Sequence, residues 1–276
     1  MIACVTSPEL PPSPPSVIRA RTGEKLASVI AHEIVEQLAI DGAGPGQMLP
    51  PEAELIRHYG VSRGSLREAL RLLEHSGVLA IRSGPGGGPI VQTVDSRDFA
   101  RTSSLQFRAA NATVRDLLEA RLVIEPAMAR RLTERADHES LDQIRLSILH
   151  AHSTVGEAHR NAVHSFHETV LHASQNRVMT LVGGSLMEIL VKMASEPDYE
   201  SQLEHTSSIH DEIYEKMMRG RSTAVERLMR EHIQEVTDYY ETDRPEFLDQ
   251  PIIWRTRPAI ATGTLATRTD SARVAR

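Results

Sequence analysis

Apolar residues recur three and four apart along most of this chain, which is the spacing of helices that bury one face. The pattern is clearest from Gly60 to Glu74. There Leu66, Ala69, Leu70 and Leu73 make one stripe, while Arg63, Arg67 and Arg71, four apart, stack on another face. Ser62 stands where an N-cap belongs and Gly77 where a C-cap belongs. Upstream, Leu26, Val29, Ile30, Ile34 and Leu38 predict a helix over 24–40, ended by Gly42. A proline in the first turn opens a short helix after Pro50-Pro51, and Gly60 closes it. Downstream, Val78-Leu79-Ala80-Ile81 and Ile90-Val91 flank a Gly/Pro tip, which predicts a hairpin. Helix, turn, helix and hairpin in this order predict a winged helix-turn-helix over 23–92, with the arginine helix in a major groove and the wing on the backbone.

From Thr113 onward the period stays helical and no strand pattern occurs. Breaks at Asp137, near Gly156, at Gln175-Asn176, at Pro197 and at Gly220 predict about six helices up to Thr242. The expected fold class is therefore mainly α: an N-terminal winged helix-turn-helix plus a C-terminal all-helical bundle over 113–242. Residues 93–112 read as a linker with a helical piece around Phe99 to Phe107. The Pro- and Ser-rich residues 1–22 read as a disordered arm, and 243–276 as a flexible tail holding the only tryptophan, Trp254.

At 276 residues the chain has room for two domains, and 40% apolar content is ordinary for a globular protein. No run is long enough to span a membrane, no signal peptide is seen, and the single cysteine, Cys4, makes no internal disulfide. A cytoplasmic location is expected. A net charge of -6 argues against a nucleic-acid partner only if the charge is spread evenly. Between Arg57 and Arg82 five arginines face two acids, so the helix-turn-helix carries a local basic footprint. Such a row is also found on plain solvated helices. With its flanks it suits phosphates and guanine edges.

Ten of the thirteen histidines follow Thr113. His150, His152, His159 and His172 read as exposed helix positions. His210 lies ten residues before Gly220, and His232 lies ten after Ser222. Two antiparallel helices joined by so short a turn put both at one height, roughly 15 Å from the turn. His167 borders the apolar stripe of Val163, Phe166 and Val170. Arg121 and Glu125 fall in or beside the stripe of Val114, Leu117, Leu118, Leu122, Met128 and Leu132, where a charge needs a partner. They either pair with each other or leave Arg121 to meet an acidic ligand.

The order LPPEAEL, GVSRGSLREALRLLE, GVLAIRSGPGGG resembles the GntR family of bacterial regulators over residues 24–92. The resemblance implies DNA contacts from Ser62, Arg63 and Arg67, with Ser65 and Glu52 nearby and Arg82, Ser83 and Gly84 in the wing. Ala53 departs from it, standing where such proteins often carry arginine. Phe166-His167, Ala173-Ser174-Gln175-Asn176, then His210 and His232 around Gly220, resemble the FCD effector domain of the FadR subgroup over 113–240. That resemblance implies a divalent metal on His167, His210 and His232 and an effector pocket lined by Arg121, His164 and Asn176. Its usual aspartate is here Val163, which leaves His164 as a substitute ligand. Three imidazoles suit zinc or nickel better than magnesium or calcium.

The implied function is a ligand-responsive DNA-binding transcription regulator. It is expected to act as a repressor, a homodimer on a short palindromic operator, sensing a small organic acid and having no membrane partner. The alternative is a metal-dependent hydrolase with the three histidines on zinc and Glu168 as base. Against it, Glu168 follows His167 directly and so points about 100° away on the helix.

Overall fold

The computed structural model describes residues 25–84, 86–135, 137–193 and 200–254, with the backbone alone for 160 and 200–205. The expected arm over 1–22, the break at Pro197 and the tail beyond 254 lie outside the described residues.

Three helices open the chain: α1 (Leu26–Ile40), α2 (Glu52–Tyr59) and α3 (Arg63–His75). The stripes of α1 and α3 face each other, and Ile30, Ile34, Leu55, Tyr59, Leu66, Leu70 and Leu73 share one core. Gly60 takes φ +63°, the left-handed backbone that lets α2 stop and α3 begin within three residues. Ser62 caps α3, its Oγ accepting from the Ser65 N–H at 3.1 Å. Strands β1 (Leu79–Arg82) and β2 (Gly88–Val91) pair antiparallel, Leu79 opposite Val91 and Arg82 opposite Gly88. Leu79 and Val91 point into the same core, so the hairpin is anchored at its base while its tip stays in solvent.

The segment read as a linker is more ordered than its polar sequence predicts. A full helix, α4 (Ser96–Ala109), runs through it, capped by Asp95. Ala100 of α4 is fully buried with Leu117, Leu118, Leu186, Ile189 and Leu190 of the bundle. The serines that make α4 look hydrophilic turn inward and return their hydroxyls to backbone: Ser103 to the Phe99 carbonyl, Ser104 to that of Arg101. That satisfies them without water.

The bundle holds α5 (Val114–Arg135), α6 (His138–His152), α7 (Gly156–Ala173), α8 (Arg177–Met193), α9 (Glu200–Met218) and α10 (Ser222–Asp243). These are the six expected helices. A short α11 (Pro245–Leu248) then buries Phe247 and Leu248, and Ile252 follows them. The tail expected to be loose from Pro245 thus packs as far as Ile252, because three apolar side chains have a groove to fill. Among the described residues no helix is long and apolar enough to cross a membrane.

Two apolar cores lie at the two ends of the bundle. One gathers Ala129, Leu132, Ile144, Phe166, Ile213, Val225 and Met229. The other gathers Val114, Leu117, Leu118, Leu190, Tyr240 and Phe247. Helices α5 and α10 run through both. Where α5 passes from one core to the other it carries Arg121, Glu125 and Pro126. Pro126 has no N–H for the carbonyl of Leu122, one turn back. Arg230 of α10 donates to that carbonyl instead, Nη1 at 2.9 Å.

Candidate functional site

Two regions carry chemistry. The first is the outer face of α3 with the wing. Ser62, Arg63 and Arg67 are exposed there, as are Arg82 at the end of β1 and Ser83 and Gly84 beyond it. Ser65 is half-buried and exchanges a hydroxyl contact with Ser62 at 2.9 Å. Its hydroxyl therefore belongs first to the cap. Glu52, at the start of α2, accepts from Arg67 Nε at 3.0 Å. The pair ties the two helices of the motif together. Glu52 engages the guanidinium through Nε, and the Nη nitrogens form no hydrogen bond to Glu52. An arginine held through Nε can present its Nη nitrogens to a guanine or a phosphate.

The second region lies between the two bundle cores. Arg121, Glu125, His167, His210 and His232 are all at most 3% exposed. The Nε2 atoms of His210 and His232 stand 3.3 Å apart, and those of His232 and His167 stand 3.4 Å apart. The three histidines offer ligand atoms within 4.8 Å of one another. The turn at Gly220 brings α9 and α10 to one height, as the residue count predicts, and α7 adds His167 from the side. His210 stacks on Phe166, centroids 3.8 Å apart, which fixes its ring plane. Burial, then the neighbouring His232, His167, His164 and His152, holds His210 well below the usual imidazole range. A neutral imidazole is the form that binds a metal.

Behind His167 stands a carboxylate. Glu125 Oε2 lies 2.6 Å from His167 Nδ1, and Oε1 accepts from Arg121 Nε. Burial opposes the charge on Glu125, but Arg121 and then His167 outweigh it and hold the carboxyl well below the ordinary range. Arg121 and Glu125 therefore do pair, as one of the two sequence readings had it. The bond from Glu125 to His167 was not expected, since the two lie 42 residues apart. The only hint in the sequence is that Glu125 sits on a buried stripe.

The histidine cluster fits a tetrahedral metal. Zinc–nitrogen bonds of about 2.0–2.1 Å place neighbouring nitrogens roughly 3.3–3.4 Å apart, the spacing of the His210–His232 and His232–His167 pairs, while all three ligand atoms lie within 4.8 Å of one another. Val163 adds no donor; it is buried in a small cluster with Ala151 and Ala162. His164 is half-buried and lies outside the group of three. Asn176 is half-buried and caps α8, its Oδ1 accepting from the Met179 N–H at 3.2 Å. Glu168 turns from the cluster toward α8 and α4. Burial first, then Glu188, raises its carboxyl above the ordinary range.

A winged helix-turn-helix joined by a packed helix to an all-helical bundle defines a class of DNA-binding transcription regulator. Residues 26–87 match the model of the bacterial regulatory proteins of the gntR family, and residues 116–235 match that of the FCD domain. The chain belongs to the GntR family, with an FCD domain as its C-terminal half. It is 27% identical over 237 residues to the Glc operon transcriptional activator of Escherichia coli K12, covering 76% of this chain and 87% of that one. It is 35% identical over 132 residues to the regulator Mce2R of Mycobacterium tuberculosis, covering 43% of this chain and 52% of that protein. A solved Streptococcus agalactiae GntR shares the fold at a TM-score of 0.58 and 19% identity, covering 77% of this chain and 99% of that one. The domains and relatives are regulators, not enzymes, and the hydrolase alternative has no support from them. Glu168, turned toward Glu188, is no base for a histidine-bound metal.

Proposed function

We propose that this GntR-family regulator works in the cytoplasm as a homodimer, represses by occupying a short palindromic operator, and responds to a small carboxylate. The observation that carries the reading is one buried string, Arg121–Glu125–His167–His232–His210, inside a bundle whose linking helix touches the arginine helix. A two-fold operator calls for a two-fold protein, with half-sites about one helical turn apart. Ser62, Arg63 and Arg67 then meet the major groove, while Arg82, Ser83 and Gly84 lie along the backbone. Glu52 sets the Arg67 guanidinium rather than meeting DNA itself.

In the bundle, His167, His210 and His232 hold a zinc or nickel ion with a position left open. Val163 supplies no charge, so an anionic ligand has both a vacant coordination position and the Nη edge of Arg121 to engage. His164 and Asn176 are the further groups proposed to set specificity for that ligand. Metal and acid then tighten each other's binding by one and the same factor. The acid shifts DNA affinity only as far as it prefers one arrangement of the two domains. The Escherichia coli relative is named an activator, so the sign of regulation is a separate measurement, made by transcription from the bound promoter.

Calorimetric titration of zinc into metal-free protein, with and without small carboxylic acids, tests the reading. The expected result is measurable zinc binding that strengthens with one acid and in Val163→Asp. No zinc uptake under any condition, with an effector response that survives His210→Ala, overturns the metal. A protected operator with no internal symmetry, or a monomer bound to it at full affinity, overturns the dimer.

A further inference from the structure

We infer that Glu125 is a positioning residue that dictates which nitrogen of His167 carries the proton, and so turns His167 into a metal donor; the inference rests on the metal reading above. Glu125 has two carboxylate oxygens and two neighbours. One oxygen accepts from Arg121 Nε, and the other lies 2.6 Å from His167 Nδ1. An arginine can only donate, and an ionised carboxylate can only accept. His167 must therefore carry its proton on Nδ1. Its Nε2 is then unprotonated and faces His232 Nε2, 3.4 Å away, as an acceptor. The other carboxylate expected near this site is absent, because position 163 is a valine packed among Ala151 and Ala162. Glu125 replaces it from behind the ring: it orients the donor, raises its basicity and places a negative charge one imidazole away from the cation.

The arrangement makes an unusual demand on substitution. Glutamine has nearly the shape of glutamate but offers one acceptor and one donor group. Arg121 takes the oxygen, since it has nothing to accept with. The amide NH₂ is then turned to His167 Nδ1, which must become an acceptor. The proton moves to Nε2 and closes the lone pair that a metal needs. Glu125→Gln is thus expected to be as damaging as Glu125→Ala, although it is the conservative change. A purely structural role for Glu125 predicts the reverse order.

Two measurements test this. In metal-free full-length protein with ¹⁵N-labelled histidine, the side-chain nitrogen shifts of His167 should show the Nδ1–H form, and the Nε2–H form in Glu125→Gln. Competition with a chromophoric chelator should then show zinc affinity lowered about 10–100-fold in that variant, and no better than in Glu125→Ala. Circular dichroism melts show whether the variants remain folded. If Glu125→Gln does not fold, the nitrogen shifts of the unaltered protein still decide, because an Nε2–H His167 there overturns the inference. Wild-type zinc binding that is unchanged in Glu125→Gln overturns the inference and leaves the metal reading standing. An Nδ1–H His167 in a protein that takes up no zinc overturns the metal reading alone.

Discussion

Adjacent residues on α7 have opposite electrostatic surroundings. His167 turns inward to two imidazoles and a carboxylate. Glu168, one residue on, turns toward Glu188, which Arg97 meets at 3.6 Å. The raised Glu168 carboxyl has a consequence for stability. A carboxylate whose folded value lies above its unfolded value of about 4.3 stabilises the fold fully below that value, and the gain is lost as pH rises through the folded one. At neutral pH the ionised Glu168 therefore works against the fold. Glu168→Gln should raise the melting temperature slightly at pH 7 and have no such effect at pH 4. Equal effects at both values would mean that the carboxylate charge is not the cause.

At the scale of the element, α3 is a helix with two separate tasks. Leu66, Ala69, Leu70 and Leu73 hold it to α1. Arg63 and Arg67 are left to solvent, and Arg67 is steadied by Glu52 through a half-exposed pair. Exposed pairs of this kind are worth little to stability, about 0–1 kcal/mol. The value of this one lies in orientation. Arg67→Ala should cost about 1–3 kcal/mol of specific operator binding if it reads a base edge. Glu52→Ala should lower the ratio of specific to non-specific affinity while raising non-specific binding, because it removes both the clamp and a negative charge near phosphates. A Glu52→Ala protein with unchanged specificity would show that Arg67 needs no holding.

At the scale of the whole molecule, α4 is what joins the two halves. Arg101 donates through Nη2 to the His75 carbonyl at the end of α3, at 2.8 Å, and to Asp98, at 2.9 Å. Asp98 lies so close to Gly77 that a Cβ there would stand 2.3 Å from its Oδ2, and Gly77 holds φ +76°. At the other contact of α4, Ser96 donates to the Thr180 carbonyl of α8 at 3.2 Å and leaves no room for a side chain at Gly184. Helix α8 in turn packs on α5 and α7, which carry Arg121, Glu125 and His167. A continuous packed path thus runs from the histidine cluster to the end of the arginine helix. Arg101→Ala removes a charged donor from a helix C-terminus, an interaction of roughly 1 kcal/mol. It should weaken operator binding several-fold with every residue of the DNA face intact. Unchanged operator affinity in that variant would show that α4 links the domains without coupling them.

The local pattern alone determined the helices of the helix-turn-helix and of the bundle, the capped arginine face, the hairpin and the shared height of His210 and His232. Each depends on a repeat of 3.6 residues, on a cap, or on a short turn, and all of these act within a few residues. Tertiary structure decided the rest. The serines of α4 conceal a buried helix, because their hydroxyls satisfy themselves on nearby carbonyls and the sequence shows only polarity. Phe247, Leu248 and Ile252 resemble a loose tail until the groove beside α5 and α10 is seen. The sequence allowed Arg121 either an internal partner or an external one, and the fold brought in His167 as the third member. Its bond to Glu125 spans two helices and 42 positions, a separation over which no periodicity carries information, and only the packing of α5 against α7 sets it.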